Sequence, residues 1–224
     1  MTAHTVVYLC HGAGKPLHAA KFPDQLEDCQ SNLSSLTSDG GLLKNGRKIQ
    51  FDTLVWCTGY RYDFPFLEQN GPGSGIVNIL LDGRLLYPLY QHVVPVNEPS
   101  LFFVGVPNRI LPFSFFDVQI RYIFAVLKGD CSLPSKDEML DWIAADQKWR
   151  KETLGFPEKH FHLMVNLQWD YLRNLADLAK FTYPVKPCVE ALFMEIVKCR
   201  AKNLVDYKNL KFRLVDSETF EYRD

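Results

Sequence analysis

Three apolar runs in this sequence stop at glycine. Thr5-Val6-Val7-Tyr8-Leu9-Cys10 meets His11-Gly12, Asp52-Thr53-Leu54-Val55-Trp56-Cys57 meets Thr58-Gly59-Tyr60, and Leu101-Phe102-Phe103-Val104 meets Gly105. In open α/β sheets, ligands lie beyond the carboxyl ends of the strands. Glycine at such an end lets backbone approach a cofactor where a Cβ would collide. Each glycine taken alone has a plainer account, because strands commonly end at glycine.

Other kinds of chemistry find little footing. Gly12-Ala13-Gly14 lacks the third glycine of a dinucleotide fingerprint, since position 17 is Leu. The Gly71-Pro72-Gly73-Ser74-Gly75 cluster has no strand directly before it and reads as a flexible turn. The six histidines form no H-x-x-x-H or H-E-x-x-H pair, and His92, in Tyr90-Gln91-His92-Val93, reads as a packed or surface residue. Ser74 and Ser114 lack a G-x-S-x-G elbow. Side-chain nucleophilic catalysis and metal binding therefore have no support.

The elements that would position the glycines follow from periodicity. The three apolar runs read as buried strands. Gly41-Leu42-Leu43, Asn45-Gly46 and Lys48-Ile49-Gln50-Phe51 read as a hairpin with a type I′ turn. Asp63 to Pro99 is rich in proline and glycine and reads as turns and short strands. Phe113 to Lys128 is apolar around its circumference, which predicts a helix buried on most sides and stopped by Gly129. Beyond it the chain reads as helical. Ser135 and Glu138 form a capping box, Phe161 to Ala179 carries leucines at helical spacing, and Val189, Leu192, Phe193, Ile196 and Val197 make one stripe.

Bulk properties narrow the class. With 47% hydrophobic and 23% charged residues the composition is that of a soluble globular protein. A formal net charge of -1 argues against nucleic acid or an anionic membrane as the main partner. Cys10, Cys29, Cys57, Cys131, Cys188 and Cys199 form no C-x-x-C pair, and several lie in apolar runs, so free, buried thiols in a reducing compartment are expected. A long charge-free stretch, Leu85 to Asn97, is broken by Pro88 and Pro95 and too short to span a bilayer. No transmembrane anchor and a cytoplasmic location are expected, with peripheral membrane association and a homo-oligomer left open.

Taken jointly, the motifs are more specific. Asp52 to Tyr60, followed by Phe64-Pro65-Phe66-Leu67, resembles the threonine-glycine-tyrosine signature of flavin-containing monooxygenases. Leu89-Tyr90-Gln91-His92-Val93 is similar to the same family. So is Leu101 to Pro107 running into Phe113, Phe116, Asp117 and Gln119, then Leu133-Pro134-Ser135 and Glu138-Met139. The likeness covers roughly residues 5 to 150 and is weaker in the tail. It implies an α/β, partial two-dinucleotide-binding-domain flavoprotein fold with a C-terminal helical extension. Residues 1–60 would close an NADPH-binding domain, 61–130 would close an FAD-binding domain, and 131–224 would be the extension.

The resemblance also implies the chemistry: FAD, NADPH and O2 used to oxygenate the nitrogen or sulfur of a small nucleophilic amine or sulfide. The cofactor would perform it while the protein orients it and excludes water. Thr58, Gly59 and Tyr60 would lie at the domain junction, near both cofactors. Gly105, Val106 and Pro107 would bring backbone close to the flavin, the helix from Phe113 would aim its dipole at it, and Gln119 would be a weaker polar contact. For Phe113, Phe115 and Phe116, core packing is favoured over a substrate pocket.

Both of the family's glycine-rich motifs would precede Thr5, so a truncated chain that is inactive alone is expected. Lys15 is then the nearest candidate cation for the 2′-phosphate. Two rival readings stand beside this one. The first is a non-catalytic fragment or interaction product with apolar faces exposed; the second is a Baeyer–Villiger-type or N-hydroxylating relative.

Overall fold

The computed structural model describes residues 6–8, 26–29, 31–57, 59–67 and 75–223. The chain divides into two compact units, one of residues 1–57 and 186–224, the other of residues 58–185.

In the first unit, β1 (Val6–Tyr8) pairs in parallel with β2 (Leu26–Asp28). The remainder of the first apolar run, together with Gly12-Ala13-Gly14 and Lys15, lies outside the described residues. A three-stranded antiparallel sheet follows, built from β3 (Leu33–Thr37), β4 (Gly40–Leu43) and β5 (Lys48–Gln50). The polar β3 gave no apolar alternation by which to foresee it. The expected β4–β5 hairpin is present, with Gly41 opposite Ile49, but its turn is not type I′. That type needs positive φ at both central residues, and of Asn45 and Gly46 only Gly46 has it, at 86°. Gly46 N–H returns to Leu43 C=O (2.9 Å) and Leu43 N–H to Arg47 C=O (2.8 Å), as in a three-residue loop closed by a left-handed glycine.

The chain does not end in helix. After α4 (Pro187–Lys202) it closes with an antiparallel hairpin of β10 (Lys211–Leu214) and β11 (Phe220–Arg223). Cross-strand rings stabilise it, Phe212 lying 5.1 Å from Tyr222. Of the α4 residues only Cys188 is buried. Its backbone N–H donates to Ser217 C=O at 3.0 Å.

The second unit carries the larger core. β6 (Asn78–Leu80) pairs with β7 (Leu85–Tyr87), and β8 (Leu89–Tyr90) with β9 (Val94–Pro95). Three helices cover them: α1 (Pro112–Lys128), α2 (Lys136–Leu154) and α3 (Gln168–Leu178). Phe115 of α1 stacks on Tyr171 of α3 at 5.2 Å, and Trp142 of α2 meets Tyr90 of β8 edge-on at 5.3 Å. The capping box at Ser135 and Glu138 starts α2 as expected. Gly129, at φ 80°, ends α1, with the Gly129 and Asp130 N–H groups returning to Val126 and Ala125 C=O.

Several expectations are overturned here. Asp52–Cys57 and Leu101–Val104 are not strands. A strand is defined by its neighbours, and these runs have no ladder partner among the described residues. Val55 and Trp56 are 73% and 68% exposed, and Cys57, expected to be buried, is exposed too. Of the five described cysteines, Cys131 and Cys188 are buried, and none of the five forms a disulfide. α1 buries one stripe (Phe115, Val118, Gln119, Tyr122, Ala125), not most of its circumference, and Ile120, Phe124 and Leu127 are exposed. The helix expected from Phe161 begins only at Gln168. Met164 and Val165 N–H donate to Asn108 and Arg109 C=O (both 3.1 Å) in place of their own turn, and Val165 sits at φ 49°.

Candidate functional site

The stretch from Val104 to Leu111, which delivers the chain to the start of α1, is fixed along its length. Gly105 N–H donates to Gln119 Oε1 at 2.9 Å, and Tyr62 Oη donates to Val106 C=O at 2.6 Å. Asn108 N–H donates to His162 C=O at 2.9 Å. Leu111 N–H donates to Gln168 Oε1 at 2.8 Å. A loop held this closely presents its backbone in one arrangement.

Gly105 is at φ 81°, and a Cβ there would meet the Phe116 ring at 2.9 Å. Packing against α1 therefore accounts for this glycine with no ligand invoked. Val106 and Pro107 are buried. Val104 and Phe113, at the two ends of the stretch, are 45% and 88% exposed. The packing expected for Phe113 thus fails, while Phe115 is fully buried and Phe116 half-buried. No side chain caps α1, and its first turn holds no acidic residue.

Of the threonine-glycine-tyrosine signature, Thr58 lies outside the described residues. Gly59, at φ 91°, has nothing within 4 Å of where a Cβ would stand, and Tyr60 is fully exposed. The residues just after them tie the signature to the loop. Tyr62 reaches Val106, and Phe64 packs edge-on against Phe103 at 5.0 Å.

Gln119 is fully buried with both ends of its amide engaged. Its Oε1 takes the Gly105 N–H and its Nε2 donates to Tyr171 Oη at 2.9 Å. Tyr171 in turn donates to Gln91 C=O at 2.8 Å. Burial raises the Tyr171 phenol well above its ordinary pKa, so it is a neutral donor.

That relay ends on a turn no sequence signal marked. Gln91 and His92 have φ 49° and 54°, and Val93 N–H returns to Tyr90 C=O at 3.0 Å, the arrangement of a type I′ turn. Residues other than glycine cost about 1–2 kcal/mol each in that conformation. Here the surroundings offset the cost: Asn174 donates to Gln91 Oε1 at 3.2 Å, and the His92 ring is fully enclosed.

His92 Nδ1 lies 2.9 Å from His162 Nδ1, a pairing across 70 residues. Leu86 N–H donates to His162 Nε2 at 3.1 Å. The Leu86 C=O lies 3.2 Å from the same nitrogen, so Leu86 offers Nε2 both a donor and an acceptor. His92 Nε2 is 3.7 Å from Asp146 Oδ2, an electrostatic contact too long for a hydrogen bond. Arg150 completes the cluster, its Nε on Asp146 at 2.8 Å and its Nη1 on Leu163 C=O at 2.8 Å.

Burial holds both imidazoles below their ordinary pKa, His162 by more, so the pair is neutral near pH 7. Burial pushes the Asp146 carboxyl up, but the His92 ring and the Arg150 guanidinium together hold it below its usual value. Among the described residues no group of three or more His, Cys, Asp or Glu could hold a metal ion. Among them, too, no helix is long and apolar enough to cross a membrane.

Comparison with known proteins gives this geometry a context. The profile of a family described as FMO-like, flavin-binding monooxygenase-like, matches residues 26–220. Flavin-containing monooxygenase FMO GS-OX4 of Arabidopsis thaliana is 38% identical over 155 residues, covering 68% of this chain and 32% of the relative. The Arabidopsis thaliana FMO GS-OX-like 7 is 34% identical over 184 residues, covering 80% of this chain and 38% of the relative.

Among solved structures, S-allyl-L-cysteine S-oxygenase from Allium sativum superposes with a TM-score of 0.74 at 32% identity, covering 92% of this chain and 46% of that one. Tmm from Pelagibacter sp. strain HTCC7211 gives a TM-score of 0.69 over 99% of this chain and 47% of its own; at 22% identity it speaks to the fold alone. The chain thus spans about a third of the curated relatives' length and just under half of the solved structures. Its strands and helices are the C-terminal half of an α/β flavoprotein fold, and the chain belongs to the flavin-binding monooxygenase-like family.

Proposed function

We propose that this chain forms one side of the flavin site in a monooxygenase that uses FAD, NADPH and O2 to oxygenate a nucleophilic sulfur, or nitrogen, of a small molecule. The observation that carries the reading is the fixed stretch Val104–Leu111 opening onto an uncapped, acid-free start of α1. The residues there fit a flavin. Its planar ring needs apolar contact, which the exposed side chains of Val104 and Phe113 offer. Its electron-rich edge and phosphates suit the positive end of a helix dipole. Gly59 leaves backbone open on the segment that Tyr62 ties to the loop.

When bound, the flavin supplies the redox chemistry, in which two electrons from NADPH reduce O2, one oxygen atom passes to the substrate and the other leaves as water. This chain's residues bind and orient. Gly105, Val106 and Pro107 present backbone, and Gln119 acts through Gly105, since its own amide is spent. Thr58 and Tyr60 are assigned to the junction between the cofactors.

In this reading residues 1–60 close the NADPH-binding domain, 61–130 close the FAD-binding domain and 131–224 extend them. Within the extension, 131–185 packs into the unit holding Gly105 and 186–224 into the other. Sulfur is preferred because the Allium sativum structure is that of an S-oxygenase. Alone, the 224-residue chain should hold FAD weakly, because its sequence contains no G-x-G-x-x-G to seat the pyrophosphate.

A chimera tests this, with the present chain replacing the matching 46% of the Allium sativum enzyme. The expected result is stoichiometric bound FAD and, under labelled O2, a sulfoxide carrying one labelled oxygen per NADPH consumed. A folded chimera that retains flavin but oxidises NADPH without oxygenating any thioether or amine would overturn the assignment.

A further inference from the structure

We propose that His162 is a positioning residue for the flavin-facing stretch Gly105–Leu111, holding it from behind without touching cofactor or substrate. The inference rests on that stretch facing flavin, but its structural content is separate. His162 meets the stretch through its backbone and the sheet through its ring. Its C=O accepts the Asn108 N–H at 2.9 Å, while its Nε2 accepts the Leu86 N–H of β7 at 3.1 Å. The following residues continue the seam, Met164 and Val165 N–H donating to Asn108 and Arg109 C=O. Asn108 and Leu163 form an isolated parallel bridge. The loop therefore reaches β7 through one imidazole.

What stands behind that ring keeps it in one orientation. His92 Nδ1 lies against its other nitrogen, Tyr62 meets it edge-on at 5.6 Å, and Phe161 lies tilted against it at 5.1 Å. Arg150, anchored by Asp146, holds the next carbonyl, that of Leu163. His162 is 1% exposed and His92 fully buried, so neither ring is available to a substrate. A histidine needed only for bulk would not have both ring nitrogens satisfied, one by backbone and one by a second imidazole. The ring spans from β7 to the strained Gln91–His92 turn, and its carbonyl hands that rigidity to Asn108. Gly105 is independently tied to the same turn through Gln119, Tyr171 and Gln91. Two separate chains of hydrogen bonds thus lead from the loop to one turn.

Two polar replacements separate positioning from packing. The amide of His162→Gln reaches the place of Nε2 and can accept from Leu86. That of His162→Asn reaches only the place of Nδ1, on the His92 side. Hydrogen exchange read by mass spectrometry on the 224-residue chain is expected to show peptides spanning 104–111 exchanging about tenfold or more faster in H162N. In H162Q they should stay within about threefold of the parent, and α4 and the β10–β11 hairpin should be unchanged in both.

Equal loosening of the loop in the two variants, or loosening in neither, would overturn the proposal. FAD titration of the same samples keeps the two readings apart. The exchange pattern without any flavin binding by the parent chain would sink the flavin assignment and leave the positioning role standing. Flavin binding with an unaltered loop in H162N would do the reverse.

Discussion

The backbone N–H of Gly105 and the side-chain carbonyl of Gln119 meet at 2.9 Å, tying a left-handed glycine to a buried position on helix α1. Gln119→Leu keeps the volume but leaves the Gly105 N–H without its acceptor and Tyr171 without its donor. A buried group stranded in this way costs about 1–3 kcal/mol. The urea midpoint should fall accordingly. In a double-mutant cycle with Tyr171→Phe, a coupling of about 0.5–3 kcal/mol is expected; strict additivity would show that the relay is not a unit.

Gly105→Ala adds a second test at the same point. Positive φ costs an L-residue about 1–2 kcal/mol, and the new Cβ would meet Phe116 at 2.9 Å. Combining it with Phe116→Leu should recover the contact part of the loss and leave the backbone part. Full recovery would mean that the conformation at Gly105 imposes no demand for glycine.

Acid should weaken this fold through its paired imidazoles. Both are held below the ordinary 6.5 by burial, facing Asp146, Arg150 and the un-ionised Tyr171. As pH falls through 6.5, the unfolded chain takes up protons that the folded rings refuse, so stability drops; well above 6.5 the pair contributes no slope. The Asp146 carboxyl, also depressed, adds a further loss as pH falls below its ordinary 3.8. Denaturation midpoints at pH 7.5 and 5.5 measure the first effect. The decline between them should be shallower in His162→Gln, and a midpoint that rises on acidification would contradict the assignment of neutral rings.

The two faces of α1 should answer very differently to truncation. Phe115→Ala, at a fully buried ring stacked on Tyr171, should cost about 3–5 kcal/mol. Phe124→Ser, at a ring 56% exposed, should stay within about 0.5 kcal/mol. Thermal or chemical denaturation of the two variants decides it. Similar losses would mean that the outer face of α1 is covered in solution.

Much of this was open to reading along the chain, where the determinants are local. Gly129 stops α1, Ser135 and Glu138 cap α2, and Asn45-Gly46 turns the β4–β5 hairpin. Gly105, Val106 and Pro107 stood out because an apolar run ended there, although that run makes no ladder. Strand formation at Asp52–Cys57 could not be read because a ladder belongs to two segments at once, and one segment's propensity does not supply the other. The His92–His162 pair was hidden for a similar reason. Each histidine sits in an apolar stretch, 70 residues from its partner, and only folding brings the rings together. Nor does Gln91-His92 advertise its type I′ turn, since Gln does not favour the left-handed region and the pair is not one of the usual glycine-containing turn dipeptides.

The proposed flavin site lies against the loop and the start of α1. Backbone amide resonances of the isotope-labelled chain, followed during titration with FAD, would report it even at weak affinity. Shifts concentrated at Gly59, Gly105, Phe113 and Ser114 are the predicted result. Shifts confined to other parts of the chain, with these four amides unmoved at saturating FAD, would contradict it.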